Sequence, residues 1–496
     1  MTAFRNLYRH GFVRVAAFAP EVAPADPQAN AAAHIAHARK ADGEYAALAL
    51  FPELSLTGYA IDDLHHQATL LGAAEDAAAA LIAASKDLMP VIVAGCPVRA
   101  DGQLFNCALV IHRGRLLGVV PKTYLPNYRE FYEKRWFASA NGAISDTVRF
   151  AGQEAPFGAG LVFEASDMAG FVLGVEICED LWAVHPPSLD AALAGASVIV
   201  NLSASNALIG KARERSELAR VQSAKTMGAY LFAASGPGES TTDLAWDGQL
   251  CAHELGRTLA EGPRFEPGAS LITEFDVERI AQDRLRFSTF RDGIAARAGA
   301  LKAFRRIGFE LAPPLKAELP LSRKIARFPF VPSDPQRLDE DCYEAWSIQV
   351  EGLAKRLKST GLKRAVIGIS GGLDSTQALI VTARAFDRLG LSRKDIIALT
   401  LPGFATSRQT REQAIALAEA LKVTHREIDI RPAAERMLAD IGHPYASGAK
   451  QYDVTFENVQ AGLRTDYLFR IANHKGGLVI GTGDLSEAAL GWCTYG

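Results

Sequence analysis

Between residues 12 and 277, short apolar runs alternate with alanine-rich helical stretches, and this alternation restricts the fold more than any other feature of the chain. Phe12-Val13-Arg14-Val15-Ala16-Ala17-Phe18, Ala46-Ala47-Leu48-Ala49-Leu50-Phe51, Val91-Ile92-Val93-Ala94-Gly95, Val172-Leu173-Gly174-Val175-Glu176-Ile177, Val198-Ile199-Val200-Asn201-Leu202 and Tyr230-Leu231-Phe232-Ala233-Ala234 are apolar at nearly every position. A strand wet on one face would alternate apolar with polar residues, so these runs predict strands covered on both faces. Helices expected at residues 31–40, 75–86 and 213–226 supply the cover, which is an α/β layered domain. His112-Arg113-Gly114-Arg115 divides residues 104–120 into two strands joined by a hairpin turn.

A second α/β pattern follows. The run Ala365-Val366-Ile367-Gly368-Ile369 breaks into Ser370-Gly371-Gly372-Leu373-Asp374-Ser375 and then into a helical stretch. A glycine turn between strand and helix presents backbone N–H groups at a helix N-terminus, where a phosphate is favoured. The two glycines admit phosphate close to the backbone, and Ser370, Ser375 and Thr376 add hydroxyls. Asp374 would repel that phosphate without a cation between them, so the motif implies a nucleotide with Mg2+. No lysine follows the glycines, which excludes a Walker loop. Further strands are expected at residues 396–401, 423–430 and 478–481, with helices at 339–359 and from Thr406-Ser407 onward. This is a parallel sheet wound in Rossmann-like fashion without a GxGxxG motif.

Residues 284–339 read as an interdomain connection with a short helix at 293–306. Arg284, Arg286, Arg291, Arg297, Lys302, Arg305 and Arg306 are followed by Pro313-Pro314, Pro320, Pro329, Pro332 and Pro335. These cations are expected to meet acidic surfaces or subunit partners. A net charge of −3 over 496 residues argues against a large nucleic-acid footprint. No apolar run suggests a membrane span, and residues 15–19 are too short for a signal-peptide core. Cys96, Cys107, Cys178, Cys251, Cys342 and Cys493 lack metal-like spacing. They suggest a reducing, cytoplasmic setting, with buried cysteines and one catalytic candidate.

That candidate is Cys178. Glu53, Lys122 and Cys178 each stand just after an expected strand, where α/β domains place their chemistry. A thiol must lose its proton to attack a carboxamide, and Glu53 can accept it. The Lys122 ammonium and the backbone N–H of Glu179 can stabilise the oxyanion, and the products are an acyl thioester and ammonia. The contexts FPELSLTGY, PKTYLPNYREFYEKRWF and ICEDLW resemble the nitrilase, or carbon–nitrogen hydrolase, superfamily over about residues 10–285. That resemblance implies an αββα sandwich. KTYLPNYREFYEKRWF and NLSASNALIGKARER are similar to the glutaminase domain of the glutamine-dependent NAD+ synthetase family. By that resemblance Tyr59, Tyr128, Glu179, Ser205 and Lys211 lie near glutamine. Glu133 is then the additional glutamate beside the lysine, with Glu130 as the alternative.

SGGLDS resembles the loop of the N-type ATP pyrophosphatases, and FENVQAGLR and GTGDLSE are similar to the synthetase domain of the same NAD+ synthetase family. The resemblance assigns Gly368, Ile369, Ser370, Gly371, Gly372, Leu373, Asp374, Ser375 and Thr482 to ATP. It assigns Asn458, Arg464, Glu487 and Trp492 to deamido-NAD+, and Asp374 with Glu487 to Mg2+. Ala461-Gly462 departs from the Ala-Arg of short members, leaving Arg464 as a candidate for the guanidinium role. The domains expected are a glutaminase domain at 10–285, a linker at 286–339 and a partial synthetase domain at 340–496. Family members continue further beyond the GTGDLSE motif, so the chain reads as C-terminally incomplete. The resemblance implies glutamine, ATP and deamido-NAD+ as substrates, an ammonia tunnel and a homo-oligomer. Two other readings remain: an amidase with an inactive appended domain, and a noncatalytic nucleotide-binding module.

Overall fold

A computed structural model describes residues 4–242, 244–404 and 408–491. It divides into two compact units, Met1–Ile325 and Ala326–Gly496. The first contains β1 (Phe12–Ala19), β2 (Leu48–Leu50), β3 (Val91–Ala100), β4 (Gln103–His112), β5 (Arg115–Pro121), β6 (Thr147–Phe150), β7 (Gln153–Pro156) and β8 (Leu161–Ala165). It continues with β9 (Val172–Ile177), β10 (Val198–Ser203), β11 (Ala229–Ala234), β12 (Leu250–Glu254), β13 (Arg257–Glu261), β14 (Ala269–Asp276) and β15 (Arg305–Phe309). Its helices are α1 (Pro27–Gly43), α2 (Ala68–Ala84), α3 (Pro187–Leu193), α4 (Lys211–Lys225), α5 (Val277–Arg286) and α6 (Ser288–Leu301).

The strands form a sheet of order β14-β1-β2-β3-β4-β5 and another of order β13-β12-β11-β10-β9-β8-β15, with β6 and β7 as a separate hairpin. Alternate residues of each strand have different neighbours. Val13, Val15 and Ala17 of β1, with Leu48, Leu50, Val91 and Val93, share one core with Val175, Ile177, Val198, Val200 and Leu231 of the opposite sheet. The other faces of the first sheet, through Ala16, Phe18, Ala49, Ile92 and Ala94, pack with α1 and α2 residues such as Ala38, Ala78 and Leu81. Ile199, Tyr230 and Phe232 of the second sheet meet Ala191 of α3 and Ala219 of α4. The result is an αββα sandwich, and double-sided cover explains the unbroken apolar runs. The segment Ala68–Asp87, built on α2, is long and apolar enough to span a membrane by composition. Here Leu70, Leu71, Ala74, Ala78, Leu81 and Ile82 are buried, as in a core helix.

The expected connection at residues 286–339 is not a single linker. Residues 288–301 form α6, and Arg305 and Arg306, expected within the short helix at 293–306, belong instead to β15. That strand pairs in parallel with β8, so ladder hydrogen bonds hold this stretch to the second sheet. Downstream, the Leu7 N–H donates to Leu319 O at 3.0 Å, and Arg323 pairs with Glu254 at 3.0 Å. Arg297 reaches Asp190 at 2.6 Å and Arg306 reaches Glu164 at 3.1 Å. These cations therefore meet acidic groups of the same unit. Single-strand pairing and scattered ion pairs leave no periodic signal in sequence, which is why the stretch reads as loose.

The second unit contains α7 (Pro335–Thr360), β16 (Ala365–Gly368), α8 (Leu373–Arg388), β17 (Ile396–Thr400), α9 (Arg408–Ala420), β18 (Thr424–Glu427), α10 (Arg431–Asp440), α11 (Val454–Lys475), β19 (Leu478–Ile480) and α12 (Leu485–Leu490). Its four strands are parallel in the order β18-β17-β16-β19. Leu357, Leu379, Phe386, Ala414 and Ala418 from α7, α8 and α9 cover one face. On the other face Val366, Ile397 and Leu399 pack with Ala472, Leu468 and Ile471 of α11. The winding reverses at β16, between β17 and β19, the switch point where such sheets bind ligands. The Thr406-Ser407 helix start lies outside the described residues.

Close packing of β3 against the end of β2 fixes the turn carrying Glu53. A Cβ on Gly95 would fall 2.1 Å from Leu54 N and 2.6 Å from Pro52 O, both backbone atoms. Gly95→Ala is therefore expected to destabilise the fold by about 1–3 kcal/mol and to displace Glu53. Urea unfolding measures this, and an unaltered midpoint would contradict the close-approach argument.

Candidate functional site

Cys178 sits where β9 breaks into a one-turn 3-10 helix, Cys178–Trp182, with a positive φ of 45° that only an over-determined turn sustains. Its N–H donates to Asn201 Oδ1 at 3.2 Å. Asp180 stitches this turn to the Lys122 segment. Its Oδ2 accepts from Ile177 N at 2.9 Å, and its Oδ1 accepts from Tyr124 N at 2.8 Å and Thr123 N at 3.2 Å. Burial pushes the Asp180 carboxyl up to about 8 against the opposing pull of the backbone donors.

Lys122 is fully buried and donates to Glu53 Oε1 at 2.6 Å and Glu133 Oε1 at 2.7 Å. Glu53 also accepts from Asn106 Nδ2 at 2.6 Å and from Ala204 N at 2.8 Å. The last bond crosses from the end of β2 to the end of β10, so the two sheets share this carboxylate. The Tyr59 hydroxyl donates to Glu133 Oε1 at 2.7 Å. Burial alone would lower the Lys122 pKa, but the flanking carboxylates outweigh it and raise it. Burial raises the Glu133 pKa, with Glu53 adding to the rise and Lys122 opposing it. The Cys178 thiol is pushed up to about 12 by burial and by Glu53, against the pull of Lys122. It therefore rests as a thiol and needs a base during attack.

The remaining glutamine candidates surround this core unequally. Tyr128, half exposed, donates to Glu179 Oε1 at 2.8 Å. Ser205 is buried, and its carbonyl accepts from Arg215 Nη1 at 2.8 Å. Lys211 at the start of α4 donates to Asn206 Oδ1 and lies 5.4 Å from the Phe131 ring centre. The sequence left Glu130 and Glu133 as alternatives beside the lysine. Glu133 occupies that place, and Glu130 accepts from Asn206 Nδ2 at 2.9 Å. A cavity of about 380 Å³ is lined by residues including Tyr59, Ala60, Glu130 and Phe131.

In the second unit a cavity of about 580 Å³ opens at the end of β16, lined by Gly368, Ile369, Ser370, Gly372, Ser375, Thr482 and Arg464 among others. The Ser370 N–H donates to Ser375 Oγ at 3.2 Å, and the Gly372 N–H donates to Ser370 Oγ at 3.2 Å, holding the loop. Gly371 has φ +81°, and a Cβ there would fall 2.3 Å from Thr410 O. Arg464 donates to Leu401 O at 3.2 Å, and burial lowers its pKa. Gly371, Leu373, Asp374, Asn458 and Glu487 are not in the cavity lining. Leu373 and Asp374 are exposed on the first turn of α8, while Asn458 is half-buried on α11. Glu487 forms a capping box with Asp484, accepting from its N–H at 3.4 Å. Trp492 lies outside the described residues.

Among the described residues no group of three His, Cys, Asp or Glu side chains is assembled for a metal. Mg2+ needs less, since it keeps waters and takes one or two carboxylates together with substrate phosphates. Asp374 and Glu487 follow the adjacent strands β16 and β19, and the Glu487 contact is long enough to exchange, so the residues fit such an ion.

Fold and site define an α/β protein in two parts, a sandwich unit with a buried Glu–Lys–Glu cluster beside a cysteine, followed by a parallel-sheet unit with a glycine loop. Residues 14–285 match the carbon-nitrogen hydrolase family, and residues 345–496 match NAD synthase. The chain is 55% identical over 494 residues to the glutamine-dependent NAD(+) synthetase of Mycobacterium tuberculosis (strain ATCC 25618 / H37Rv), covering 99% of this chain and 72% of that protein. Identity to the Mycobacterium leprae (strain TN) synthetase is 52% over 494 residues, covering 99% and 72%. The glutamine-dependent NAD+ synthetase from Acinetobacter baumannii in complex with ADP aligns with a TM-score of 0.47 and 24% identity, over 97% of this chain and 77% of that one. The chain belongs to the glutamine-dependent NAD+ synthetase family.

Sequence reading missed Asn106, Asp180, Asn201, Asn206 and Glu239. Glu239 is buried and accepts from Tyr59 N at 2.9 Å and Ala60 N at 3.2 Å. Asn106 and Asn201 lie inside apolar strands, Asp180 and Asn206 follow strand ends, and Glu239 lies in the loop between β11 and β12; the available signal is burial of a group that then needs partners. Asp180 also predicts a pH effect. Its carboxyl holds a proton in the native state that the unfolded chain releases near the ordinary carboxyl pKa. Its contribution to stability is therefore fully present below that pKa and lost as pH rises toward about 8. Asp180→Asn should flatten the fall in unfolding free energy between pH 5 and 8 by roughly 1–3 kcal/mol. An undiminished slope in denaturant titrations at the two pH values would reject this assignment.

Proposed function

We propose that the first unit hydrolyses glutamine at Cys178 and that its ammonia amidates deamido-NAD+ in an ATP-driven reaction of the second unit. The observation carrying this reading is the dry Glu53–Lys122–Glu133 cluster beside a strained, buried cysteine. The Cys178 Sγ attacks the glutamine carboxamide carbon while Glu53 takes the thiol proton. Lys122 and the Glu179 N–H stabilise the oxyanion. As the C–N bond breaks, Glu53 returns the proton to the leaving ammonia. Glu53 then activates water, which cleaves the thioester to glutamate and restores the thiol. Tyr128, Ser205 and Lys211 bind the amino-acid end, and Tyr59 buttresses Glu133.

In the second unit the SGGLDS backbone and hydroxyls hold ATP, and the deamido-NAD+ carboxylate attacks its α-phosphorus, releasing pyrophosphate. Ammonia then displaces AMP from the acyl adenylate to give the carboxamide. Asp374 and Glu487 would hold Mg2+, which would supply neutralisation of triphosphate charge. Asn458, Arg464 and Trp492 are assigned to deamido-NAD+, with Thr482 on ATP. A reducing, cytoplasmic setting belongs to the same proposal. It is supported by free thiols at Cys96 and Cys107, which pair across β3 and β4 without a disulfide. A homo-oligomer is also proposed, and exposed apolar residues such as Val184, Ile209 and Phe287 are compatible with contacts between copies.

Cys178→Ala is expected to reduce glutamine hydrolysis by at least about 10⁴-fold while ammonia-driven NAD+ formation survives. Glutamate release at the unmodified rate would sink the nucleophile assignment. Asp374→Ala should reduce AMP and pyrophosphate formation by about 100-fold or more, with glutamine hydrolysis retained. Pyrophosphate release at the parental rate would remove Asp374 from the nucleotide site.

A further inference from the structure

Adjacent parallel strands bring Ser203 up to the cysteine. β10 pairs with β9 so that Leu202 lies opposite Ile177, which puts Ser203 and Cys178 at the next position along the same ladder. Neighbouring strands run about 4.8 Å apart, so the two residues are immediate neighbours. Ser203 is 1% exposed, and its Oγ has no hydrogen-bond partner among the described residues in the resting site. Its carbonyl accepts from Ser235 N at 2.9 Å and from Glu53 N at 3.4 Å, and the following N–H, of Ala204, donates to Glu53 Oε2 at 2.8 Å. The main chain of Ser203 is thus fixed between the cysteine and its base, while the hydroxyl is left unbonded. A hydroxyl buried without a bond is destabilising, and it regains that cost in a state that presents a new acceptor. Removing the Cys178 proton creates one.

We propose that Ser203 is a further catalytic residue of the first unit, its hydroxyl donating a hydrogen bond to the Cys178 sulfur as the thiol proton passes to Glu53. This rests on the roles of Cys178 and Glu53 in the glutaminase reading above. A hydrogen bond to an ionised acceptor is stronger than one to a neutral acceptor, so the contact strengthens as charge develops on sulfur, which is what acceleration requires. Burial, Glu53 and Glu133 raise the thiol pKa, whereas Lys122 and hydrogen bonding from Ser203 to the ionised sulfur lower it. Tyr59, Tyr128, Lys211 and Arg215 also sense the charge on this sulfur, but each already bonds another group: Glu133, Glu179, Asn206 and Asp247 respectively. Two other buried atoms without hydrogen-bond partners, Asn201 Nδ2 and Ser235 Oγ, lie beside Glu176 and Glu239 instead. Lys122 and the Glu179 N–H serve the carbonyl oxygen, and Ser203 serves the nucleophile.

The test measures two rates on the full chain: glutamate release from glutamine, and alkylation of Cys178 by iodoacetamide between pH 7 and 9, followed by mass spectrometry of the Cys178 peptide. Ser203→Ala should lower kcat/KM for glutamine by about 10- to 100-fold. It should slow Cys178 alkylation by about 3- to 10-fold at each pH, because the smaller thiolate fraction is offset in part by the greater nucleophilicity of a more basic thiolate. The inhibition constant of glutamate and the urea midpoint should stay within about twofold and within error of the parent, since the hydroxyl acts on sulfur and holds no other group. Ser203→Thr, which keeps the hydroxyl, should alkylate within about twofold of the parent. A folded Ser203→Ala chain with both rates within twofold of the parent overturns the proposal. So does a folded Ser203→Thr chain as slow as Ser203→Ala, or a loss of kcat/KM with alkylation unchanged. If the parent chain releases no glutamate, the glutaminase reading fails, while the alkylation rates still decide whether Ser203 stabilises the thiolate.

Discussion

The structure of the first unit depends on a lysine kept in a place without water. Lys122 is wholly buried and bonds Glu53 and Glu133, themselves wholly buried. Desolvating three such groups is costly, and their mutual attraction offsets that cost only when geometry is good and the remaining lone pairs are occupied. Asn106, Ala204 N and Tyr59 provide further bonds, although Glu133 Oε2 is buried without a hydrogen-bond partner. The cluster therefore ties together the ends of β2, β5 and β10 and the loop bearing Tyr59. Removing one member of a buried pair typically costs about 3–5 kcal/mol, so the same atoms proposed for catalysis also hold the two sheets in register.

Cys178 follows from the same constraint. A thiol beside an anionic carboxylate in a dry site remains protonated, as its raised pKa of about 12 indicates. The lysine moderates that effect. Asp180 keeps the cysteine turn and the lysine segment at a constant separation through three backbone N–H donors. The strained φ at Cys178 persists because both sides of the turn are bonded.

The second unit meets a different demand. In its loop the hydroxyls of Ser375 and Ser370 fasten the turn by accepting from the backbone N–H groups of Ser370 and Gly372. Gly371 approaches Thr410 O too closely for any side chain. The adjacent strands β16 and β19 bring the segments bearing Asp374 and Glu487 to the same end of the sheet. Glu487 meanwhile caps its own helix, a local role that a single carboxylate can serve alongside a ligand role.

Much of this was legible before any coordinates. Unbroken apolar runs in β1, β9, β10 and β11 declared strands covered twice, and strand-end positions singled out Glu53, Lys122 and Cys178. Family resemblance supplied the αββα arrangement and the contexts around those residues. The misread stretch was 286–339, because β15 joins its sheet by ladder bonds to a strand some 140 residues earlier and leaves no local period. Sequence by itself thus determined which segments must be buried, and which motif must turn between strand and helix, since hydrophobicity and backbone freedom are properties of single residues and near neighbours. Only the tertiary structure decided that Glu133 stands beside Lys122 while Glu130 is held through Asn206, because both glutamates lie within one short loop. Which carboxylate is desolvated there depends on how that loop closes over groups distant in the chain.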